Sequence, residues 1–172
     1  MSSYTERLIG ASRLDAQIYE EVEHDTGSMG QAAWTVVLAS FAAGIGALSQ
    51  GGASGLLLGA AAALAGWLIW AYLTYYIGSK FLGTPETEVS VKEMMRTIGF
   101  SSSPGLIRVL GIIPGLAGLV YLVSALWMLA AMVVAVRQAL DYTSTMRAVA
   151  VCIIGWIVQA VVLALFIASF RP

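Results

Sequence analysis

The chain has 172 residues, of which 59% are hydrophobic and 11% are charged, and its formal net charge is −1 at pH 7. Soluble domains average about 45–50% apolar and about 25% charged residues, so lipid must cover part of this chain's apolar surface. Composition therefore excludes an ordinary soluble domain and predicts a single all-α membrane domain over residues 1–172. The nine Lys and Arg residues form no basic stripe, which argues against nucleic acid as a partner.

Residues 4–26 are predicted to form an amphipathic helix on the cytoplasmic side of the membrane. Its apolar residues recur at three- and four-residue spacing, which gathers them on one face: Leu8, Ala11, Leu14, Ile18 and Val22. Such a helix lies against the bundle or the membrane interface. The end of its polar face is acidic, with Glu20, Glu21, Glu23 and Asp25. A docking surface for a basic partner is therefore the alternative.

Residues 31–48 and 55–77 are uncharged and apolar, and they are predicted to be the first two membrane segments. The turn between them, residues 49–54, carries no charge either. Gly55 and Gly59 form a G-x-x-x-G pair, which is suited to close packing of helices within the chain or between chains.

Residues 90–99 are predicted to form a second cytoplasmic amphipathic helix. Ser90 and Glu93 match a capping box at its start. Lys92 and Arg96 are expected to face water. A Ser-Ser-Ser-Pro-Gly run then breaks the chain before it enters the membrane.

The apolar stretch that follows is too long for one straight span. A helix over residues 105–137 would be about 50 Å long, against a hydrocarbon core of about 30 Å. Pro114-Gly115 divides it into a short segment, 103–114, and a full segment, 117–137, and residues 148–170 form the last one. The short segment would cover only about 18 Å as an α-helix, so it must tilt, thin the bilayer or remain inside the bundle.

The prediction is a polytopic transmembrane helical bundle with five membrane segments, the third one short, plus two cytoplasmic amphipathic helices. Five segments with a cytoplasmic N-terminus put eight Lys and Arg residues inside and one outside, whereas one kinked span over 103–137 gives seven against two. Both arrangements obey the positive-inside rule, and five segments obey it better. We therefore expect the C-terminus on the far side, with the kinked span as the alternative.

Arg108 is the one charge expected to enter the apolar layer, and intramembrane charges need a partner or water. It follows the predicted start of the third segment by about one turn, which favours snorkelling to the cytoplasmic surface. An ion pair with Glu93 or Asp141, or contact with a lipid phosphate, is the alternative. Mid-span Ser124 and Gln159 are expected to make interhelical hydrogen bonds. The candidate contacts for a partner or lipid are Arg108, Arg96, Gly55, Gly59, Gly111 and Gly115.

No motif of catalysis is recognisable. A Ser/His/Asp set, a Gly-rich phosphate loop and an H-E-x-x-H motif are all missing from the sequence. The single histidine, His24, lies among carboxylates that could bind a metal with it, but one histidine on a solvated helix is ordinarily no ligand. We predict no enzymatic activity, no cofactor and no metal site.

The order of the elements resembles the Yip family, the Ypt/Rab-interacting membrane proteins, and in particular its bacterial branch. The lead-in RLIGASRLDAQIYEEVEHD precedes an uncharged hairpin, then VKEMMRTIGFSSSPGLIRVLGIIPG, a span with Trp127 that ends VVAVRQAL, and a terminal apolar helix. The resemblance implies five membrane segments, a cytoplasmic N-terminus and insertion in the bacterial inner membrane. Eukaryotic relatives bind Rab-type GTPases, but their long N-terminal region and Asp-Leu-Tyr-Gly-Pro motif are missing here, so a Rab-type partner is not expected.

The leading hypothesis is a non-catalytic membrane scaffold or accessory subunit that binds other membrane proteins through small-residue helix faces. Its expected partners are membrane lipids and either further copies of the chain or a larger membrane complex. The alternative is a lipid-handling or small-solute transport protein that uses the short third segment and Arg108.

Overall fold

The computed structural model describes residues 2–48 and 56–169, and the helices in these ranges confirm the all-α prediction. Seven α-helices occur there, and no strand: α1 Tyr4–Ser12, α2 Ala16–His24, α3 Met29–Gly46, α4 Leu56–Tyr76, α5 Val91–Phe100, α6 Ala117–Ala139 and α7 Thr145–Ser169. A π-helical turn, Ile77–Phe81, extends α4. A 3-10 helix, Ser103–Ile112, lies between α5 and α6 and is called the 3-10 segment below.

Four helices in the described ranges are long and apolar enough to cross a membrane. They are Thr26–Gly46, Leu56–Phe81, Ala117–Ala139 and Thr145–Val162. The predicted third segment, 103–114, takes the form of the ten-residue 3-10 segment, so the described ranges contain four helices of membrane-spanning length and one short apolar segment.

The single amphipathic helix predicted over residues 4–26 is wrong, because the chain forms two helices there. Leu14 adopts a left-handed φ of 63°, which ends α1, and the Asp15 carboxylate caps α2 by accepting from the Gln17 N–H. Ser3 caps α1, in a capping box with Glu6. The apolar spacing continues through the break because both short helices lay one face on the same bundle.

Small residues along α3 let the chain from α5 through the 3-10 segment lie directly against it. A Cβ added at Gly99 would lie 2.7 Å from the Ala32 Cβ, and one at Gly105 would lie 3.2 Å from the Ala39 Cβ. Further on, a Cβ at Gly111 would lie 3.1 Å from the carbonyl oxygen of Gly46. The contacts follow the same order on both partners, so the 3-10 segment runs parallel to α3. From Ala32 to Gly46 this path is about 21 Å long.

Helix α6 returns beside the 3-10 segment in the opposite direction. The Tyr121 hydroxyl donates to the carbonyl oxygen of Ala43 near the end of α3. Seventeen residues later, the Gln138 amide donates to Glu20 on α2 at 3.4 Å. We call the end with α1, α2 and α5 the near end, and the end with Gly46 the far end. Successive segments α3, α4, the 3-10 segment, α6 and α7 therefore alternate in direction.

The buried core lies towards the near end, whereas the long helices keep apolar side chains exposed. The largest fully buried side chains include Arg7, Tyr19, Phe100, Met94 and Leu140. Large exposed apolar side chains cover α4, α6 and α7, among them Leu57, Leu58, Leu119, Leu122, Ile157 and Val162. An apolar surface on this scale is what a lipid-facing bundle requires.

Candidate functional site

A cavity of about 420 Å³ lies between α3, α4, α6 and α7, and we call it the Arg108 cavity. Three tryptophans, two methionines and several small residues form most of its wall: Val36, Ala39, Ala43, Ala63, Gly66, Trp67, Trp70, Ile98, Met128, Met132 and Trp156. Its polar groups belong to Ser40, Ser102, Arg108 and Gln159. A mostly apolar hollow of this size with a few convergent polar groups is typical of small-molecule sites.

Arg108 is held in the cavity wall by α6. Its Nε donates to the Ser124 Oγ at 2.7 Å, and its guanidinium carbon lies 5.7 Å from the centre of the Tyr121 ring. The bond from Arg108 confirms an interhelical hydrogen bond for Ser124, whose hydroxyl also donates to the Tyr121 carbonyl at 3.1 Å within α6. Among the described residues, no carboxylate lies within ion-pair distance of Arg108.

The expectation that Arg108 snorkels to the cytoplasmic surface is wrong. Its backbone carbonyl packs against Gly46 at the far end of α3, and its side chain bonds to α6. Glu93 and Asp141, the predicted ion-pair partners, instead line a hollow at the near end. A 3-10 helix rises about 2.0 Å per residue, so the chain travels further from Ser103 than an α-helix would carry it.

The sequence carries a signal for this arrangement in the spacing of three residues. Residues three apart stand in line on a 3-10 helix, because it has three residues per turn. Gly105, Arg108 and Gly111 have this spacing, and all three lie on the face that meets α3 or the cavity. Two glycines flanking an arginine at period three therefore indicate a 3-10 segment packed closely on a neighbouring helix.

The candidate glycines serve packing and turns within the chain. Gly111 lies against Gly46, and a Cβ at Gly59 would lie 3.9 Å from the Ser40 Oγ. Gly115 adopts a φ of +83° in the turn before α6, a conformation that favours glycine. Gly55 lies outside the described residues. Partner contacts at these four positions stay a prediction.

Arg96 is buried, so the expectation that it faces water is wrong. Only 4% of it is exposed. Its Nε donates to the carbonyl oxygens of Val22 at 3.1 Å and Glu23 at 2.9 Å, and a terminal nitrogen also donates to Glu23. The last carbonyl groups of a helix lack intrahelical partners and carry partial negative charge, so α2 attracts a guanidinium at this end.

A second hollow, of about 470 Å³, lies at the near end, and we call it the acidic hollow. It is lined by Glu23, His24, Glu88, Val89, Ser90, Glu93 and Asp141. The Glu23 side chain is only 3% exposed, and its Oε2 has no hydrogen-bond partner. Burial, with smaller contributions from Glu20 and Asp141, raises the pKa of Glu23 to about 8. A cation placed beside this oxygen would remove the cost of ionising it.

Glu20, Glu23 and His24 form the one cluster of potential metal ligands in the described part of the chain. Their ligand atoms lie within 4.8 Å of one another. The His24 Nδ1 lies 3.0 Å from the Glu20 carbonyl oxygen, which leaves Nε2 as its ligand atom. The side chains of His24 and Glu20 are 70% and 48% exposed. The cluster therefore offers ligand atoms without an enclosing coordination shell.

Arg7 organises the near end, and sequence reasoning missed it. It is 2% exposed, and a terminal nitrogen lies 2.7 Å from carboxylate oxygens of both Glu21 and Asp25. Another nitrogen donates to the Gln31 side chain at 2.9 Å, so Arg7 joins α1, α2 and α3. Hydrogen bonds from Ser2 and then Arg7 lower the pKa of Glu21 to about 2. No local pattern indicates this cluster, because its members are distant in sequence.

Comparison with known proteins gives one family match. The model of the family described as Yip1 domain matches residues 16–167, which is most of the chain. No curated protein and no solved structure matches it.

Proposed function

The chain belongs to the Yip1 domain family, and from this premise we propose that it is a scaffold or accessory subunit of a larger membrane complex. Family membership and the four membrane-length helices fit a non-catalytic membrane protein. The acidic hollow is the observation that carries the proposal, because it is a concave, charged surface built by elements that do not span the membrane. The family match does not distinguish bacterial from eukaryotic members. The bacterial branch and the bacterial inner membrane therefore stay predictions.

The partner that the acidic hollow suits is a basic segment of another protein. The carboxylates that line the hollow outnumber the cations around it, and the Arg96 guanidinium is bonded to backbone carbonyls of α2 and lies 3.8 Å from one of these carboxylates, that of Glu93. A lysine or arginine side chain of a partner would enter the hollow among the carboxylates of Glu88, Glu93 and Asp141, next to the buried Glu23. A paired, hydrogen-bonded carboxylate is far less costly to bury than an unpaired one.

Small-residue faces were expected to bind other membrane proteins, but several of them pack within the chain. Gly99, Gly105 and Gly111 pack against α3 inside the chain, so these faces stabilise the fold. The proposed interaction with a partner therefore depends on the near end, where α1, α2 and α5 are held together by Arg7 and Arg96. A rigid surface loses little conformational entropy on binding.

Site-specific photo-crosslinking in native membranes tests the proposal. A photoreactive residue at Glu88, on the rim of the hollow, is expected to capture a partner, whereas one at Glu86, an exposed neighbour outside the hollow, is not. The double variant Glu23→Gln, Asp141→Asn removes two charges with little change of shape, and asparagine tolerates the φ of 51° at position 141. Capture should decrease in this variant, and the captured peptide should carry Lys or Arg at the crosslink.

Two results would contradict the basic-partner proposal. Equal capture from positions 88 and 86 would mean that the hollow has no part in it. Capture that is lost on chelation of divalent cations, with a partner segment lacking basic residues, would assign the hollow to a metal ion at Glu20, Glu23 and His24 instead.

A second candidate function is a lipid-handling or small-solute transport protein, and the Arg108 cavity is the observation in its favour. Flux and lipid-scrambling measurements on reconstituted vesicles test it. Arg108→Ala should lower the rate if the cavity is a path. Equal rates in vesicles with and without the wild-type protein would exclude this function.

A further inference from the structure

We propose that the Arg108 cavity binds the phosphate group of a membrane glycerophospholipid, with an acyl chain in the adjoining groove between α4 and α7. This inference goes beyond the proposed scaffold function and is tested independently of it. It concerns a lipid that is bound and retained, whether or not the protein moves lipids.

The charge of Arg108 favours a phosphate as the ligand of the cavity. Arg108 is the only charged residue among those that line the cavity, and the described residues give it Ser124 and Tyr121 but no carboxylate. Its Nε is occupied by Ser124, and its terminal nitrogens make no hydrogen bond within the described chain. A guanidinium in an apolar layer requires an anion or water, and its two terminal nitrogens match two oxygens of a phosphate.

The groove beside the cavity has the shape and the apolar lining that an acyl chain needs. An almost wholly apolar groove of about 470 Å³ adjoins the cavity, lined by Leu68, Ile69, Tyr72, Leu73, Tyr76, Val158, Gln159 and Val162. Gln159 lines both spaces. Gly66, Trp156 and Gln159 are exposed, so the cavity is open to its surroundings between α4 and α7. An acyl chain therefore has an apolar path that begins at the polar cavity.

Depth and direction agree with a lipid of the leaflet at the far end. Ser124, which fixes Arg108, lies seven residues after the start of α6, about 10 Å inside the far end. From Leu68 to Tyr76 the groove follows α4 towards the near end, over about 12 Å. Leu68 lies twelve residues after the start of α4, about 18 Å from the far end, so a chain from a phosphate at Arg108 would cross the middle of the bilayer and continue along the groove towards the near end.

Native mass spectrometry of the purified full-length chain tests the site. The protein is exchanged into nonionic detergent and incubated with phosphatidylglycerol, with oleate or with inorganic phosphate as separate probes. The wild type should retain one phosphatidylglycerol, and Arg108→Gln should weaken its retention at least about tenfold, as expected for loss of a charge-assisted hydrogen bond. Arg108→Lys should retain part of it. Lys80→Gln, which removes an exposed cation elsewhere, should retain all of it.

A matched pair of glycine variants keeps the test decisive if Arg108→Gln fails to fold. A Cβ at Gly66 or at Gly118 meets nothing within 4 Å, but only Gly66 lines the cavity. Gly66→Leu should therefore lower phosphatidylglycerol retention at least about tenfold with Arg108 intact, since the side chain fills the cavity mouth. Gly118→Leu should leave retention unchanged.

Three outcomes would overturn the proposal. Equal retention by the wild type and by both Arg108→Gln and Gly66→Leu would place any bound lipid elsewhere. Preferential retention of oleate would replace the phosphate by a carboxylate. Displacement of phosphatidylglycerol by inorganic phosphate alone, with no need of an acyl chain, would make the ligand a free anion.

Discussion

Three arginines of this protein are held by groups from other segments of the chain. Arg7 pairs with two carboxylates of the near end, Arg96 bonds to the end of α2, and Arg108 bonds to Ser124. Glu23 differs, because its Oε2 has no such partner. A buried group without a partner raises the free energy of the folded state, so a cation bound beside Glu23 would stabilise the protein.

Arg7→Ala is expected to destabilise the protein by about 3–5 kcal/mol, because it breaks a buried ion pair and leaves Glu21 and Asp25 without their cation. Thermal unfolding in detergent, followed by intrinsic fluorescence, measures the change. Arg13→Ala is the control, since Arg13 is exposed just after α1. Equal losses in the two variants would contradict a special role of Arg7.

Gly46→Ala is expected to destabilise the bundle by about 1–3 kcal/mol, because its Cβ would collide with the backbone carbonyl of Arg108, which cannot swing aside like a side chain. Gly66→Ala, in open space within α4, should be neutral or stabilise by up to about 1 kcal/mol. Unfolding midpoints in detergent give both values. A Gly46→Ala midpoint equal to that of Gly66→Ala would argue against close contact of α3 and the 3-10 segment.

Glu23→Gln is expected to gain stability relative to the wild type as the pH rises from 5 to 9. The pKa of Glu23 is about 8 in the folded protein, against an ordinary value of 4.5. Between these values the unfolded chain has released the proton that the folded chain keeps, so the wild type loses stability with rising pH, by on the order of 2–4 kcal/mol. Glutamine cannot ionise and avoids this loss.

The Glu23→Gln experiment needs a background without His24, because the pKa of His24 is raised and its titration changes stability in the same window. Both proteins are therefore compared with His24→Gln added. The charged groups around Glu23 are Glu20 and His24 on α2, Glu93 and Arg96 on α5, Glu88 before α5, and Asp141 after α6. Parallel melting curves from pH 5 to 9 would contradict burial of an ionisable Glu23.

At the scale of elements, the 3-10 segment explains how ten residues carry the chain from the end of α5 to the end of α3 at Gly46. An α-helix of ten residues covers about 15 Å, whereas a 3-10 helix of ten residues covers about 20 Å. Its narrow backbone, with Gly105 and Gly111 towards its neighbours, also allows contact with α3 and α6 at once. Compared with an α-helix of the same number of residues, the 3-10 segment is longer and packs more closely, but its hydrogen-bond geometry is poorer.

Gly115→Ala is expected to destabilise the turn between the 3-10 segment and α6 by about 1–2 kcal/mol, because alanine is strained at a φ of +83°. Nothing lies within 4 Å of a Cβ there, so strain of the backbone is the only cause. Gly118→Ala, equally unhindered but helical, should stabilise instead. Unfolding midpoints that shift in the same direction would contradict the role assigned to this turn.

At the scale of the whole molecule, the alternating directions of the segments favour five crossings, and the positive-inside rule predicts that α1, α2 and α5 lie on the cytoplasmic side. The N-terminal helices and the turn between α6 and α7 meet at the near end, where Gln138 contacts Glu20 and Tyr142 donates to Gly78 and Leu82. Helix α7 then leaves this end. The N-terminus and the end of α7 are thus expected on opposite sides of the membrane, in agreement with the positive-inside rule.

Cysteine labelling from each side of the membrane tests this topology. In a Cys152→Ser background, Glu86→Cys and Thr143→Cys are both exposed positions, before α5 and after α6. Five crossings predict that an impermeant reagent labels both from the same side, because the chain crosses twice between them. Labelling from opposite sides would instead support one kinked span over residues 103–137.

Features that depend on neighbours in sequence were predictable. Ser90 and Glu93 form the predicted capping box, with the Ser90 N–H donating to Glu93 at 2.7 Å and the Glu93 N–H donating to Ser90 at 3.2 Å. The break at Leu14 was not predictable from apolar spacing, because both helices keep the same face on the bundle. Arg96 looked exposed for a related reason, since its partner is the backbone of a helix more than seventy residues earlier.

The amino-acid sequence is enough to identify an all-α membrane bundle of the Yip1 domain family, because apolar composition, caps and element order are properties of the chain read along its length. The surroundings of the charged residues follow only from the packed structure. It places Arg108 beside an apolar cavity and Glu23 in the acidic hollow. The physical reason is that the cost of a buried charge depends on which distant segments surround it. That environment exists only once α2, α5 and the 3-10 segment have packed together.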